Sequence, residues 1–404
     1  MSAQRPSLAG YGLFAATLAA AGLPIYIHAP KVYVDEYGVS LASLGLVLAG
    51  LRLLDVVQDP LLGRLAGRLQ GQRGLAVALA VAVMAAAMLG LFAIVPPIAP
   101  LVWFALMLAG VFSAFSFLTI CFYAQGVACA PQLGPQGFLQ LARWRETGAL
   151  LGICLAAVAP LALGGFGAFA ICFALACLGA AWAMRREWRP IALPDLGFGV
   201  VLADPVARRL LLVALVNAAP VAISSTLFLF FVESRLDAPG AAGPLLLLFF
   251  LAAAASAPIW AKLATRHGPR TVLLWGMVLA IAAFSGAVFL GAGDVAAFAL
   301  ICLASGVALG ADMTLLPALF AHRMEKVAPA AAGAFGLWSF VSKFTLAFAA
   351  LLLLPTLQSV GFVPGAANNT EALFVLSLAY GALPCVLKLI AIALVATLKT
   401  DEIE

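Results

Sequence analysis

The chain has 404 residues, of which 65% are hydrophobic and 10% charged, with a net charge of +5. Soluble domains carry roughly 25% charged residues, so this sequence cannot cover a fold of its length with a water-facing surface, and lipid must form part of its solvent. Inside lipid every backbone amide needs an internal partner, which leaves helices or a closed barrel; runs such as 75–95 and 210–232 are apolar without the alternation of a barrel strand, so helices are expected.

About 20 apolar residues cross the hydrocarbon layer. In chain order the sequence predicts twelve spans, at 8–30, 41–62, 75–95, 101–128, 144–164, 167–184, 210–232, 244–262, 271–291, 296–320, 331–354 and 371–397. Breakers separate them, among them Pro96-Pro97, Gly164-Gly165, Pro239-Gly240 and Pro364-Gly365. Cleaving the first stretch as a signal peptide would leave an odd number of spans, so it is expected to stay. With the N-terminus in the cytoplasm, 17 of the 22 Lys and Arg residues fall on the inner side, in loops, tails or at span ends, with Arg73 in a loop and Arg145 at a span end. Lys31 and Arg235 fall outside, and Arg52, Lys343 and Lys388 lie within spans. This positive-inside asymmetry predicts an inner-membrane protein with both termini cytoplasmic. The basic loops form no single stripe, so nucleic acid is not an expected partner.

The longest hydrophilic stretch, 185–209, divides the chain into an N-terminal six-helix bundle (1–184), a cytoplasmic linker (185–209) and a C-terminal six-helix bundle (210–404). The loops after spans two and eight, GRLAGRLQGQRG and AKLATRHGPR, are both short, basic and glycine-containing, and sit at the same point of each half. Such a repeat is what a transporter built from two related bundles predicts.

An ionisable group at mid-bilayer costs roughly 2.5–3.5 kcal/mol on insertion scales, so each one is a candidate for function. Span two holds Arg52, Asp55, Gln58, Asp59 and Pro60. Residues three, four and seven apart share a helix face. Arg52, Asp55 and Asp59 therefore form one stripe with Gln58 at its edge, while Leu53, Leu54, Val56 and Val57 cover the rest. Two carboxylates one turn apart in low dielectric repel and call for a cation, a proton or a basic neighbour. Oxygen ligands suit a hard cation such as Na⁺; a structural salt-bridge stripe is the competing reading. Lys343 stands near the middle of span eleven, and Asp312 in span ten is a partner for Lys343 or Arg52. Arg145 and Glu146 open span five, where Arg145 either points along a cavity or anchors at the interface. Lys388 lies nearer the inner end of span twelve and is read as a snorkelling, structural lysine.

The seven cysteines fall within spans or, for Cys129, at a span end, without a C-x-x-C pair, so packing rather than metal or redox chemistry is expected of them. His28, His267 and His322 are read as surface histidines. Tyr123 and Trp338 lie deep enough in their spans to stack on a substrate; the other aromatics belong to interfacial belts. No H-E-x-x-H, G-x-S-x-G or Walker loop occurs, so neither an enzyme nor an ATP-driven pump is expected.

The stretch R-L-L-D-V-V-Q-D-P-L-L-G from Arg52 resembles the span-two signature R-x-x-D-x-x-x-D-P-x-x-G of the glycoside–pentoside–hexuronide:cation symporters, the melibiose-permease-like branch of the major facilitator superfamily. Tyr11-Gly12, the R-x-x-x-x-L-x-G of Arg145 to Gly152, and Lys343 followed by Ala347-Phe348-Ala349 are similar to further family features. LLPALFAHRMEK, running from span ten into its loop, looks like a degraded form of the family's proline-containing acidic loop. The resemblance implies an all-α fold of twelve transmembrane helices in two pseudo-symmetric six-helix bundles. It implies that Asp55 and Asp59 bind the coupling Na⁺ or H⁺, and that Arg52, Arg145 and Lys343 belong to the charge network. Two departures stand out. Leu18-Ala19 occupies the place of a span-one Lys-Asp pair, and Thr119 or Ile120 that of a span-four carboxylate. The sugar-holding carboxylates are thus missing, which predicts an amphipathic, lipid-like or anionic solute rather than a typical sugar.

The expected function is cation-coupled symport of a small solute by alternating access. An uncoupled facilitator or exporter of hydrophobic compounds on the same fold is the alternative. No cofactor beyond the coupling cation is expected, membrane lipid is the surrounding partner, and the protein is expected to be a monomer.

Overall fold

The computed structural model describes residues 6–22, 29–188, 197–363 and 368–398. Every regular element among them is helical. The chain divides into two compact units, Met1–Ala203 with Met324–Phe340, and Asp204–Arg323 with Val341–Glu404.

In the first unit run α1 (Leu8–Ala20), α2 (Ala29–Tyr37), α3 (Leu41–Arg68), α4 (Arg73–Phe92), α5 (Pro100–Cys129), α6 (Gly137–Ala162), α7 (Phe166–Met184) and the short α8 (Gly197–Ala203). The second holds α9 (Pro205–Phe230), α10 (Ala242–His267), α11 (Pro269–Ser285), most of α12 (Val295–Val327), α14 (Thr370–Ser377) and α15 (Leu383–Ala396). α13 (Ala332–Ser359) gives its first turns to the first unit and the remainder to the second.

Local chemistry sets these boundaries. Ser7, Ser40, Asp204 and Asn369 cap α1, α3, α9 and α14, each side chain accepting from the amide three residues on. Pro100, Pro205 and Pro269 open their helices, where a missing N–H costs nothing. α9 starts at Pro205 rather than at the predicted 210, because Asp204 supplies a cap that hydropathy alone does not register. α6 starts at Gly137, so Arg145 and Glu146 sit more than two turns inside it rather than opening it.

Ten of the described helices are long and apolar enough to cross a membrane, and α1 is a shorter apolar helix. α3 has the length, at 28 residues, but carries Arg52, Asp55 and Asp59 in its middle. Large apolar side chains such as Leu161 and Leu155 remain exposed on these helices, the pattern of a lipid-facing surface.

In the first unit α1 lies on α6, and α4 packs against α5 and α7. The α1–α6 seam is close because Gly148 and Gly152 face it. A Cβ at either would stand 2.1 or 2.2 Å from the carbonyl oxygen of Gly12 or Ala16. This small-x-x-x-small pattern lets two backbones approach where lipid offers no hydrophobic drive for association. In the second unit α15 packs on α9 and α11. Its aromatic core centres on Phe231 and Tyr380, stacked at 4.3 Å between ring centroids. Each sits in a π-helical turn, Phe231–Arg235 or Leu378–Ala382.

Candidate functional site

Around its acids, α3 turns leucine and valine side chains outward and the carboxylates inward. Leu53, Leu54 and Val57 are exposed, whereas Asp55 is 4% exposed and Asp59 fully buried. Gln58 Nε2 donates to Asp55 Oδ1 at 2.7 Å, and Gln58 Oε1 accepts from Ser113 Oγ of α5 at 3.0 Å. Ser339 Oγ, near the start of α13, donates to Asp59 Oδ2 at 2.5 Å. α13 can come this near because Gly336 lies against the Asp59 carbonyl and Gly63, where a Cβ would meet backbone at 3.0 Å. The side chain of Arg52 lies outside the described residues, as does His28.

A second buried cluster joins α5, α6 and α13. Arg145 Nε donates to Glu146 Oε1 at 2.6 Å, and its guanidinium carbon lies 3.9 Å from the centre of the Tyr123 ring. Tyr123 OH donates to the same Glu146 oxygen at 3.3 Å, and its ring meets Phe335 at 5.1 Å. An adjacent carboxylate and an aromatic face together compensate a buried guanidinium. Arg145 is therefore an interior residue and not an interfacial anchor. Its Nη2 has no hydrogen-bond partner among the described residues, and neither has the Thr119 hydroxyl, one turn from Tyr123 on α5. Trp338 is half-buried beside Ser339.

Three expectations need correction. Asp312 pairs with Lys388 rather than with Lys343: Lys388 Nζ donates to Asp312 Oδ2 and, at 2.6 Å, to Asn217 Oδ1, and the other expected partner, Arg52, has its side chain outside the described residues. Lys388 is thus not a snorkelling lysine; it is 3% exposed, enclosed by α9 and α12 partners. Arg73, expected in an inner loop, is buried at the first turn of α4, where its Nη1 donates to Gln125 Oε1 at 2.9 Å. Lys343 is half-buried and falls in the second unit, with Asp312 and Lys388.

Sequence reasoning passes over Ser113, Ser339, Asn217 and Gln125, and uses Glu146 only as a boundary mark. One signal exists for Asn217 and Lys388: an amide, a carboxylate and an ammonium in three spans of the same half. For the serines there is none, since a lone hydroxyl in a span commonly bonds its own helix.

The MFS/sugar transport protein family matches residues 8–402. The chain belongs to that family. No curated protein gives a significant sequence match. Several solved structures share its fold. A bacterial homologue of the iron transporter ferroportin, in an outward-facing state with soaked iron, superposes with a TM-score of 0.70 at 18% identity, covering 96% of this chain and 97% of its own. The human organic anion transporter MFSD10 (TETRAN) gives 0.63 at 18% identity, over 94% of this chain and 98% of that one. The E. coli fucose:proton symporter FucP gives 0.67 at 14% identity, over 95% and 97%. At such identities the likeness is one of fold. This MFS protein is a multi-pass membrane transporter of the major facilitator fold, not an enzyme.

Proposed function

We propose that this transporter is a cation-coupled symporter of a small solute, working by alternating access, with its coupling Na⁺ or H⁺ at Asp55 and Asp59. One observation carries the reading: the two carboxylates, one turn apart on α3, are both turned away from the apolar face and buried among Gln58, Ser113 and Ser339. Carboxylate, amide and hydroxyl oxygens are the donor set that a hard cation prefers. The alternative occupant, a proton, relieves the same repulsion between the acids.

Arg145 and Tyr123 are the residues proposed to meet the solute. A guanidinium with a free N–H over an aromatic ring suits an anionic or amphipathic molecule better than a polyhydroxylated sugar. The melibiose-permease-like branch remains the proposed subgroup, and the inner membrane with cytoplasmic termini the proposed setting.

The test is uptake into proteoliposomes over a panel of radiolabelled solutes, with and without inward Na⁺ and H⁺ gradients. Wild-type uptake rises with one of the gradients. Asp55→Cys and Asp59→Cys each remove that dependence while the protein is still recovered in the membrane. Gradient-dependent uptake that survives in both variants, or wild-type uptake indifferent to either gradient, would refute coupling at this pair.

A further inference from the structure

Asp312 and Lys388 form an ion pair that the transport reading above does not use. Both are more than nine-tenths buried, and both line a partly open cavity of about 30 Å³ walled by α9, α10, α11, α12 and α15 of the second unit. Lys388 engages Asp312 through Oδ2 alone; Asp312 Oδ1 has no hydrogen-bond partner among the described residues. Buried polar atoms are almost always hydrogen-bonded, so an orphaned carboxylate oxygen in a cavity wall marks the place of a donor that the chain itself does not supply. Lys388 spends two of its three N–H groups, on Asp312 and on Asn217, which leaves one to donate. Ser224 of α9 and Ser305 of α12 stand in the same wall. Their hydroxyl protons go to the Val221 and Ile301 carbonyls of their own helices, and their oxygens keep lone pairs to accept.

The rest of the wall is apolar, with Val221, Phe249, Ile281, Phe284 and Leu309 among its residues. An apolar pocket with a few polar groups at one place suits a molecule of the same division. Charge narrows the choice further. The ion pair is neutral as a whole, and a neutral buried pair is tolerable where an isolated buried ion is not. A charged guest would leave a net charge in the apolar interior, whereas an uncharged one leaves the balance intact. Size narrows it again, since the cavity takes about two water-sized groups. A hydroxyl is the smallest uncharged group that both donates and accepts, and it fits there with the carbon that bears it. Water alone would also satisfy Asp312 Oδ1, but an alkyl chain removes the apolar wall from water as well.

We propose that the second unit binds a small uncharged alcohol in this cavity, an apolar chain ending in one hydroxyl. The hydroxyl donates to Asp312 Oδ1 and accepts from the remaining N–H of Lys388. The chain lies against Val221, Ile281 and Leu309 and continues through the open side. No covalent bond forms or breaks, and no group changes its protonation. The site is separate from the α3 acids and from Arg145 and Tyr123, all of which belong to the first unit.

The experiment illuminates the purified full-length protein in detergent with a diazirine-bearing hexanol, which inserts into the side chains it touches, and locates the adducts by peptide mass spectrometry. Adducts are expected on the cavity wall, at residues such as Val221, Ile281, Leu309 or Cys385. Unlabelled 1-hexanol should suppress them at a free concentration about tenfold below that of hexyl methyl ether, which keeps the chain and an acceptor but has no donor. Tenfold is about what one hydrogen bond to a charged group supplies. Hexylammonium and hexanoate should compete no better than the ether. Asp312→Leu/Lys388→Met removes the polar end and strands no buried charge, so hexanol and the ether should compete alike in that variant. The competition in wild type decides the matter even where the double variant is not recovered folded. An ether that competes as well as hexanol in wild type makes the cavity a purely apolar groove and overturns the proposal. So does a charged compound that competes best, a preference for hexanol that persists in the double variant, or labelling that avoids the cavity wall and leaves it to water.

Discussion

Substituting Gly152 by alanine tests the close seam between α1 and α6. The new methyl carbon would lie 2.2 Å from the Ala16 carbonyl oxygen, whereas ordinary contact begins at 3.4 Å. The obstacle is backbone, so no side-chain rotation relieves it, and α1 must move away from α6 by about 1.2 Å at that point. Gly148, one turn earlier, makes the same kind of contact with Gly12, so the strain spreads along the seam. Overpacking of this sort costs about 1–3 kcal/mol. Against it stands the gain of about 0.5–1 kcal/mol from replacing a helical glycine by alanine. The net is a loss of up to about 2.5 kcal/mol. Gly126 in α5 is the control: a methyl group added there would meet nothing within 4 Å, so Gly126→Ala keeps the gain alone. Thermal unfolding of the purified protein in detergent, followed by tryptophan fluorescence, should place Gly152→Ala below wild type and Gly126→Ala at or above it. If both variants melt at or above wild type, the close-approach argument is wrong.

The other predictions concern charges. Lys388→Met strands the Asp312 carboxylate and should lower stability by about 3–5 kcal/mol, whereas the doubly neutral Asp312→Asn/Lys388→Gln should lose far less; thermal melts of the two variants compare them. Glu146→Gln should weaken the hold on Arg145, raising the KM of any solute that Arg145 binds while leaving the half-saturating coupling-ion concentration near wild type. At Asp204, partial burial pushes the carboxyl up, but hydrogen bonds from Arg323 and the Ala207 amide outweigh it and hold the group below its ordinary value. A depressed carboxylate contributes its full stability above the ordinary carboxylate range and loses it as pH falls through the lowered value. Wild type and Asp204→Asn should therefore differ near neutral pH and converge in acid, as read from unfolding temperatures across a pH series; a gap that widens in acid would reverse the assigned sign.

The helical fold and the inward stripe of α3 are legible in the sequence because both follow from periodicity and from the cost of charge in lipid. The Asp55–Gln58–Asp59 spacing fixes one helix face whatever packs against it. Which neighbours face that stripe is not legible, since Ser113 and Ser339 come from other helices and nothing local marks them. Lys388 misleads because its nearness to the end of a span suggests an escape to the interface, which the packing of α9 and α12 closes. Arg73 reads as a loop residue because four glycines, Gly63, Gly67, Gly71 and Gly74, surround it and break the hydropathy run, yet Gln125 draws it inside. In each case the deciding partner lies on another helix.

The ten helices that can enter a membrane on apolarity alone do not include α3. With Arg52, Asp55 and Asp59 ionised, inserting it as an isolated segment would cost on the order of 8–10 kcal/mol, and each leucine recovers only about 0.3–0.6 kcal/mol. α3 must therefore enter lipid alongside helices that shield its polar stripe, such as α5, whose Ser113 it meets. Neutralising either acid makes that entry easier. A variant at Asp55 or Asp59 that reaches the membrane yet no longer couples an ion gradient to uptake has lost the coupling step itself, because its α3 is more readily inserted than that of the wild type.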